Sequence, residues 1–340
     1  MRKWITAGMV AVVTTLAVLS GAGERASALA KDKNSNPPKF LYGHDFRVRL
    51  GGKADFNKDT PRLGVEFYLD ETNKAVIAIS ESGALAVAPA GQIGMDQNCK
   101  WLTAEDLSAR KAGEIEFTQK TKKYGVELFR DLGTNRLLYI CETGAISLAP
   151  VPAGLVTDKG PKIHHSFELR VRSPDMLLFE SAKRIGVEVF KDENTGGLVY
   201  ITETGGIASG FAPAQAPDPK TLIPPKTAYG WDLRIRGADE SDFTDKTKRI
   251  GVEIFEDLNA NNQLIYISET GYLATVSNTG KFADTKGMSW KPGMTLRVRK
   301  GGEKDWKESK KFGIEVFVDN RTGNLIYIND IGSIAVLPKQ

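Results

Sequence analysis

The chain has 340 residues, with 46 Lys and Arg against 42 Asp and Glu, for a net charge of +4. Setting aside a processed start (Arg2, Lys3 and Arg25 with Glu24) lowers that charge to +2, too little for an electrostatic partner of nucleic acid, and no arginine-rich run or basic helix alters this. With 41% hydrophobic and 26% charged residues, the composition suits an ordinary folded domain rather than a disordered or membrane-embedded chain.

The N-terminus reads as a secretory signal over residues 1–30. Arg2 and Lys3 precede an apolar run from Ile5 to Leu19, and Ala28-Leu29-Ala30 offers a small-residue cleavage site. The run is short for a spanning helix, and no later segment is long and apolar. The expectation is an exported protein (periplasm, cell envelope or extracellular) with no stable membrane span after cleavage, and a single repeat domain over residues 31–340.

One segment then recurs five times. Gly64-Val65-Glu66-Phe67-Tyr68-Leu69-Asp70 returns from Gly125, Gly186, Gly251 and, with Ile for Val, Gly313, at spacings of 61, 61, 65 and 62 residues. A fixed period means one supersecondary unit copied five times. The units fall at about 41–90, 99–150, 163–212, 229–277 and 290–338.

Each copy opens on an alternating strand such as Leu169-Arg170-Val171-Arg172 or Leu296-Arg297-Val298-Arg299; copy two keeps only the last Arg, Arg110. A loop with one aromatic follows (Phe56, Phe117, Phe179, Phe243 or Trp306), and then the Gly-Val-Glu strand. Next comes a turn rich in Asn, Thr and Gly, as in Asp192-Glu193-Asn194-Thr195-Gly196-Gly197, which reads as a hairpin. The third strand is Val199-Tyr200-Ile201 or its equivalent, with Ile77-Ala78-Ile79 in copy one. Turns such as Glu142-Thr143-Gly144 lead to a short fourth strand. Segments carrying Pro and Gly, such as 150–161 and 211–225, join the units, and no amphipathic helix follows the signal segment.

The second and third strands carry bulky apolar groups on both faces, so the meanders must pack face to face. The predicted fold is all-β: five repeats of a four-stranded antiparallel meander, forming a five-bladed β-propeller, with an open row of packed β-units as the alternative. The hairpins "GVEVFKDENTGGLVYITETG" from Gly186 and "GIEVFVDNRTGNLIYINDIG" from Gly313 are similar to the NHL-type propeller repeat over about twenty residues per copy. That resemblance implies the same blade architecture.

Two charged columns span all five copies. Glu66, Glu127, Glu188, Glu253 and Glu315 lie within apolar strands, and Arg49, Arg110, Arg172, Arg236 and Arg299 close the first strands. A buried carboxylate must be paired, and a guanidinium is the natural partner, so one structural Arg–Glu bridge per unit is expected. Groups repeated in register answer a requirement of the fold; catalysis needs asymmetry. Cys99 and Cys141 form a candidate local disulfide in copy two. Asp257-Leu258-Asn259-Ala260-Asn261 spaces oxygens as calcium loops do, but lacks the closing Glu, so an Asx-type turn is favoured. No catalytic residue, metal site or cofactor is assigned.

The residues that the copies do not share are the ligand-binding candidates: His44, Trp101, His164, His165 and Trp231. The three His are placed just before first strands, and Trp101, Trp231 and Trp290 in or beside connections; Trp231 and His44 are equivalent. On a strand, adjacent His164 and His165 point apart. The expected function is an exported, non-catalytic β-repeat binding or scaffold protein, with a glycan or protein partner held in end loops or a central channel. A propeller-scaffold hydrolase with a metal or carboxylate site, and a structural envelope protein, are the alternatives.

Overall fold

The computed structural model describes residues 37–174, 176, 179–210, 221–260, 262–278, 282–283 and 287–339. Residues 1–30, read from the sequence as a secretory signal, and part of the connection after the third unit lie outside the described residues. Among the described residues, no helix is long and apolar enough to cross a membrane.

Among the described residues, twenty strands form five separate four-stranded antiparallel sheets, arranged as a five-bladed β-propeller. Blade one holds β1 (Lys39–Arg47), β2 (Arg62–Asp70), β3 (Ala75–Ser80) and β4 (Leu85–Pro89). Blade two holds β5 (Cys99–Ala109), β6 (Lys122–Asp131), β7 (Arg136–Cys141) and β8 (Ile146–Pro150). Blade three holds β9 (Pro161–Val171), β10 (Lys183–Asp192), β11 (Leu198–Thr202) and β12 (Ile207–Gly210). Blade four holds β13 (Lys226–Ile235), β14 (Lys248–Asp257), β15 (Gln263–Ser268) and β16 (Leu273–Val276). Blade five holds β17 (Met288–Val298), β18 (Lys310–Asp319), β19 (Leu325–Asn329) and β20 (Ile334–Leu337).

The two middle strands of each blade are buried on both faces, as their doubly apolar pattern requires. All of β3 and β15 is buried, and in β2 only Arg62 and Leu69 are not. The repeat's opening glycine has a packing reason. A Cβ on Gly64, Gly125, Gly186, Gly251 or Gly313 would meet the backbone carbonyl oxygen of Arg299, Arg49, Arg110, Arg172 or Arg236 respectively, each from the preceding blade. Only glycine lets the neighbouring chain approach so closely. The glycines of the second turn serve the other glycine need, with φ of 83–94° at Gly83, Gly144, Gly205, Gly271 and Gly332.

The first strands differ from expectation. They begin about seven residues earlier than the alternating Arg pattern, so His44, His164, His165, Trp101, Trp231 and Trp290 all lie within strands. The column Arg, by contrast, falls just past the strand end. Every first strand also carries a bulge, between Phe40 and Tyr42, Trp101 and Thr103, Val189 and its shifted partners His165 and Ile163, Thr227 and Tyr229, and Lys291 and Met294. An extra residue breaks the period-two pattern, which hid this half of the strand from the sequence.

Each blade consists of consecutive strands, so the ring closes without a shared sheet. Closure between blades five and one rests on side chains: a buried apolar cluster including Tyr68, Ile77, Leu296 and Val316, together with Arg299–Glu66, Tyr327–Asp70, Asn329 with the Gly83 carbonyl, and the Leu85 amide with Ser333.

Candidate functional site

The repeated charges assemble at the joints between blades. Arg49 Nε lies 2.8 Å from Glu127 Oε1, and Arg110–Glu188, Arg172–Glu253, Arg236–Glu315 and Arg299–Glu66 follow at 2.6–2.7 Å. Each bridge therefore joins one blade to the next, not two strands of one unit as expected. The register explains this. Within blade one Glu66 faces Gly43, whereas Arg49 lies beyond the end of β1 and reaches Glu127 of the neighbouring blade. A Cβ on Gly43 or Gly230 would strike the bridge itself. All five Glu side chains are at most 2% exposed, so the pairing offsets a large desolvation cost.

Loop aromatics cap the guanidinium groups. Phe56, Phe117, Phe179, Phe243 and Trp306 stand 4.4–5.5 Å from the Arg of their own blade. Trp101 and Trp290 add an indole donor to Glu127 and Glu315 at 2.7 Å. Thr227 holds that register position in blade four, and Glu253 Oε2 is buried without a hydrogen-bond partner. Burial, only partly offset by Arg172, pushes the Glu253 carboxyl above its usual range.

A second set of joints uses the Asp that ends each second strand. Tyr139, Tyr200, Tyr266 and Tyr327 donate to Asp192, Asp257, Asp319 and Asp70 of the following blade at 2.7–3.0 Å. Blade one has Ala78 in that Tyr position, and Tyr42 of β1 takes over, donating to Asp131 at 2.8 Å. Burial first, and the adjacent carboxylate second, hold Tyr139 and Tyr200 well above the ordinary phenol range, so they remain donors.

Facing these Asp groups is a variable column on the first strands. Its members Tyr42, Thr103, His165, Tyr229 and Lys291 share one register position. His165 Nε2 lies 3.0 Å from Asp257 Oδ2, and its Nδ1 lies 2.6 Å from His164 Nδ1. The bulge at His164 turns the two consecutive rings to one side, which corrects the expectation that they point apart. Both rings are buried; burial first, then His165, lowers the His164 pKa to about 4.

The next variable column holds His44, Glu105, Phe167, Trp231 and Met294, so His44 and Trp231 are equivalent as the sequence indicated. His44 Nε2 and Trp231 Nε1 are both buried without a hydrogen-bond partner. Of the ligand-binding candidates, only Trp101 is largely exposed, at 47%. The five residues do not converge: His44, Trp101 and the His pair belong to three different sets of joint contacts.

Glu105 sits beside Asp192 and accepts from Asn194 Nδ2 at 3.2 Å. Burial first, and the Asp192 charge second, raise its pKa to about 7. A carboxyl with a raised folded pKa weakens the fold where it is ionised and loses that penalty as pH falls below 7 toward 4.5. Glu105→Gln should therefore stabilise the protein at pH 8 by roughly 1–2 kcal/mol, a figure reduced for partial exposure, and by little at pH 4.5. Urea unfolding at the two pH values measures this, and an equal effect at both would exclude it.

Cys99 and Cys141 are free thiols. Cys99 pairs with Asp131 on one side of β6, while Cys141 pairs with Val126 on the other. Five residues of strand, about 16 Å, separate those positions, beyond the reach of a disulfide. The turn after Asp257 is an Asx turn: Oδ1 accepts the Asn259 amide at 3.0 Å, and Oδ2 is taken by Tyr200 and His165.

The five fourth strands line a narrow central cavity of about 40 Å³. Its wall mixes small apolar and hydroxyl side chains, including Ala86, Ser147, Ala208, Ser209, Thr275 and Ala335, and no member of the Glu or Arg columns lines it. That volume holds a water molecule or two rather than an organic ligand. Comparison with protein-family models, with curated proteins and with solved structures gave no significant match.

Proposed function

We propose that the protein is an exported, non-catalytic binding scaffold that engages a partner protein through its outer edge over blades one to three. The observation that carries this reading is an asymmetry on a repeated frame. Among the described residues, the large apolar side chains that stand most exposed are Phe40, Leu50, Phe56, Met95, Trp101, Ile115, Phe117, Val156, Ile163 and Ile223. All but Ile223, which is hydrogen-bonded to the Asn259 turn of blade four, belong to blades one to three or to the connections between them. The corresponding positions of blades four and five hold Thr227, or aromatics that are partly covered, such as Trp290, Phe243 and Trp306. The frame itself does not need this one-sided exposure, since every joint closes on the same Arg–Glu bridge. Concentrated exposed apolar and aromatic groups are what a protein interface uses.

A protein is favoured over a glycan because the most prominent exposed pair, Phe56 with Trp101, is edge-to-face at 76° and offers no flat platform. The small volume of the channel also directs binding to the edge.

A photo-crosslinking residue at Ile115 or Ile163, which are 87% and 54% exposed, should trap a discrete partner from the native envelope or medium. The same residue at Thr227, the register equivalent of Ile163, should not. Equal trapping at both positions, or at neither, would overturn the reading, and a glycan-array signal that needs Trp101 would replace it with a lectin.

A further inference from the structure

We propose that His44, Cys99 and Asp131 form a binding site for a divalent transition-metal ion, zinc in particular, that fastens blade one to blade two. Among the described residues, these three side chains place an imidazole nitrogen, a thiol sulfur and a carboxylate oxygen within 4.8 Å of one another. Ligands held at 2.0–2.3 Å around a tetrahedral ion are separated by about 3.3–3.8 Å. Closure onto an ion thus needs only small side-chain rotations.

Two independent features point to a ligand. His44 Nε2 is buried and has no hydrogen-bond partner among the described residues, a costly condition for a ring nitrogen unless something else occupies its lone pair. The Gln97 backbone carbonyl meanwhile accepts from the His44 ring, the kind of outer contact that fixes a metal-binding imidazole. At the joint between blades three and four, a His also meets the column Asp, but there His165 Nε2 bonds Asp257 directly. His44 lacks that partner, and only here does a Cys stand opposite the column Asp: Pro161 and Met288 fill the same place at Asp192 and Asp319.

The carboxylate is already oriented for the role. Tyr42 donates to Asp131 Oδ2 at 2.8 Å, Thr134 donates to the same oxygen, and Oδ1 faces the Cys99 thiol at 3.6 Å. Binding would replace the thiol proton with the ion and release that proton to solvent, leaving a thiolate, a neutral imidazole and a carboxylate, with water in the fourth position. This soft and borderline donor set favours zinc over calcium or magnesium. The site also joins β1 to β5 and β6 at the one joint whose third-strand Tyr is missing, where Ala78 stands.

Cobalt(II) reports on the site without any assay of activity. The purified full chain, stripped with a chelator and kept reduced, should bind one equivalent of cobalt with a thiolate-to-metal charge-transfer band in the near ultraviolet and tetrahedral visible bands. Zinc should displace it and raise the melting temperature. Cys99→Ser should abolish the charge-transfer band and weaken zinc binding at least about 100-fold. Should His44→Gln prove poorly folded by circular dichroism, Cys99→Ser remains decisive, and Cys141→Ala should leave the spectrum unchanged. Absence of a thiolate band in the parent protein, its survival in Cys99→Ser, or its loss in Cys141→Ala would each overturn the assignment.

Discussion

Replacing Arg299 with Met should cost about 3–5 kcal/mol of folding stability, because it strands a buried charge. Glu66 is 1% exposed, and the Arg299 side chain supplies it with a hydrogen bond at 2.6 Å to Oε1 and another at 3.2 Å to Oε2. Without the guanidinium, the carboxylate must either stay charged and unpaired or take up a proton. The double replacement Glu66→Leu with Arg299→Met removes both charges and should recover most of the loss, since an apolar pair of similar volume often matches a buried ion pair. Urea denaturation of the single and double variants measures the coupling. A single-variant loss below about 1 kcal/mol would mean that water reaches Glu66 and that the bridge is not a main element of the joint.

This joint is also the one at which the effect should be most visible. Blades one to five are linked in order by the chain, so a weakened inner joint is still held by a covalent connection. Between blades five and one, no strand is shared among the described residues. Closure there depends on the apolar cluster shared by the two blades, on Arg299–Glu66 and Tyr327–Asp70, and on the Asn329 and Ser333 contacts with the Gly83–Leu85 turn. Arg236→Met, at the equivalent bridge between blades four and five, should therefore open the ring to proteolysis less than Arg299→Met does.

Much of this frame was legible in the sequence because each blade repeats its needs in register. The Gly-Val-Glu segment, the Asp that ends it and the turn glycines marked the strands, their order and the number of blades. The partner of each Arg was misread, since a local reading pairs groups of one unit, whereas the strand stops before Arg49 and delivers its side chain to Glu127. A signal was present: the small residue opposite the Glu (Gly43, Ala104, Ser166 or Gly230) leaves room for a side chain arriving from elsewhere. The bulge that brings His164 onto His165 left no mark in the hydrophobic pattern. The meeting of His44 with Cys99 and Asp131 depends on how blade one abuts blade two, which spacing along the chain does not encode.

The second large effect is expected at Asp257, and it tests whether the variable column belongs to the joints. Asp257 Oδ2 accepts from Tyr200 at 2.9 Å and lies 3.0 Å from His165 Nε2, with all three side chains buried. Its Oδ1 holds the Asn259 amide of the turn. Asp257→Ala would orphan a buried phenol and a buried imidazole nitrogen together, each costing about 1–3 kcal/mol, for a total of about 3–5 kcal/mol with the turn contact included. Tyr200→Phe alone removes one donor and leaves the carboxylate its other contacts, so it should cost about 1 kcal/mol. Combining the two should cost less than their sum, because Phe at position 200 no longer needs an acceptor. If Asp257→Ala proves no worse than Tyr200→Phe, then His165 does not depend on the carboxylate, and the His pair is free for a role other than holding blade three against blade four.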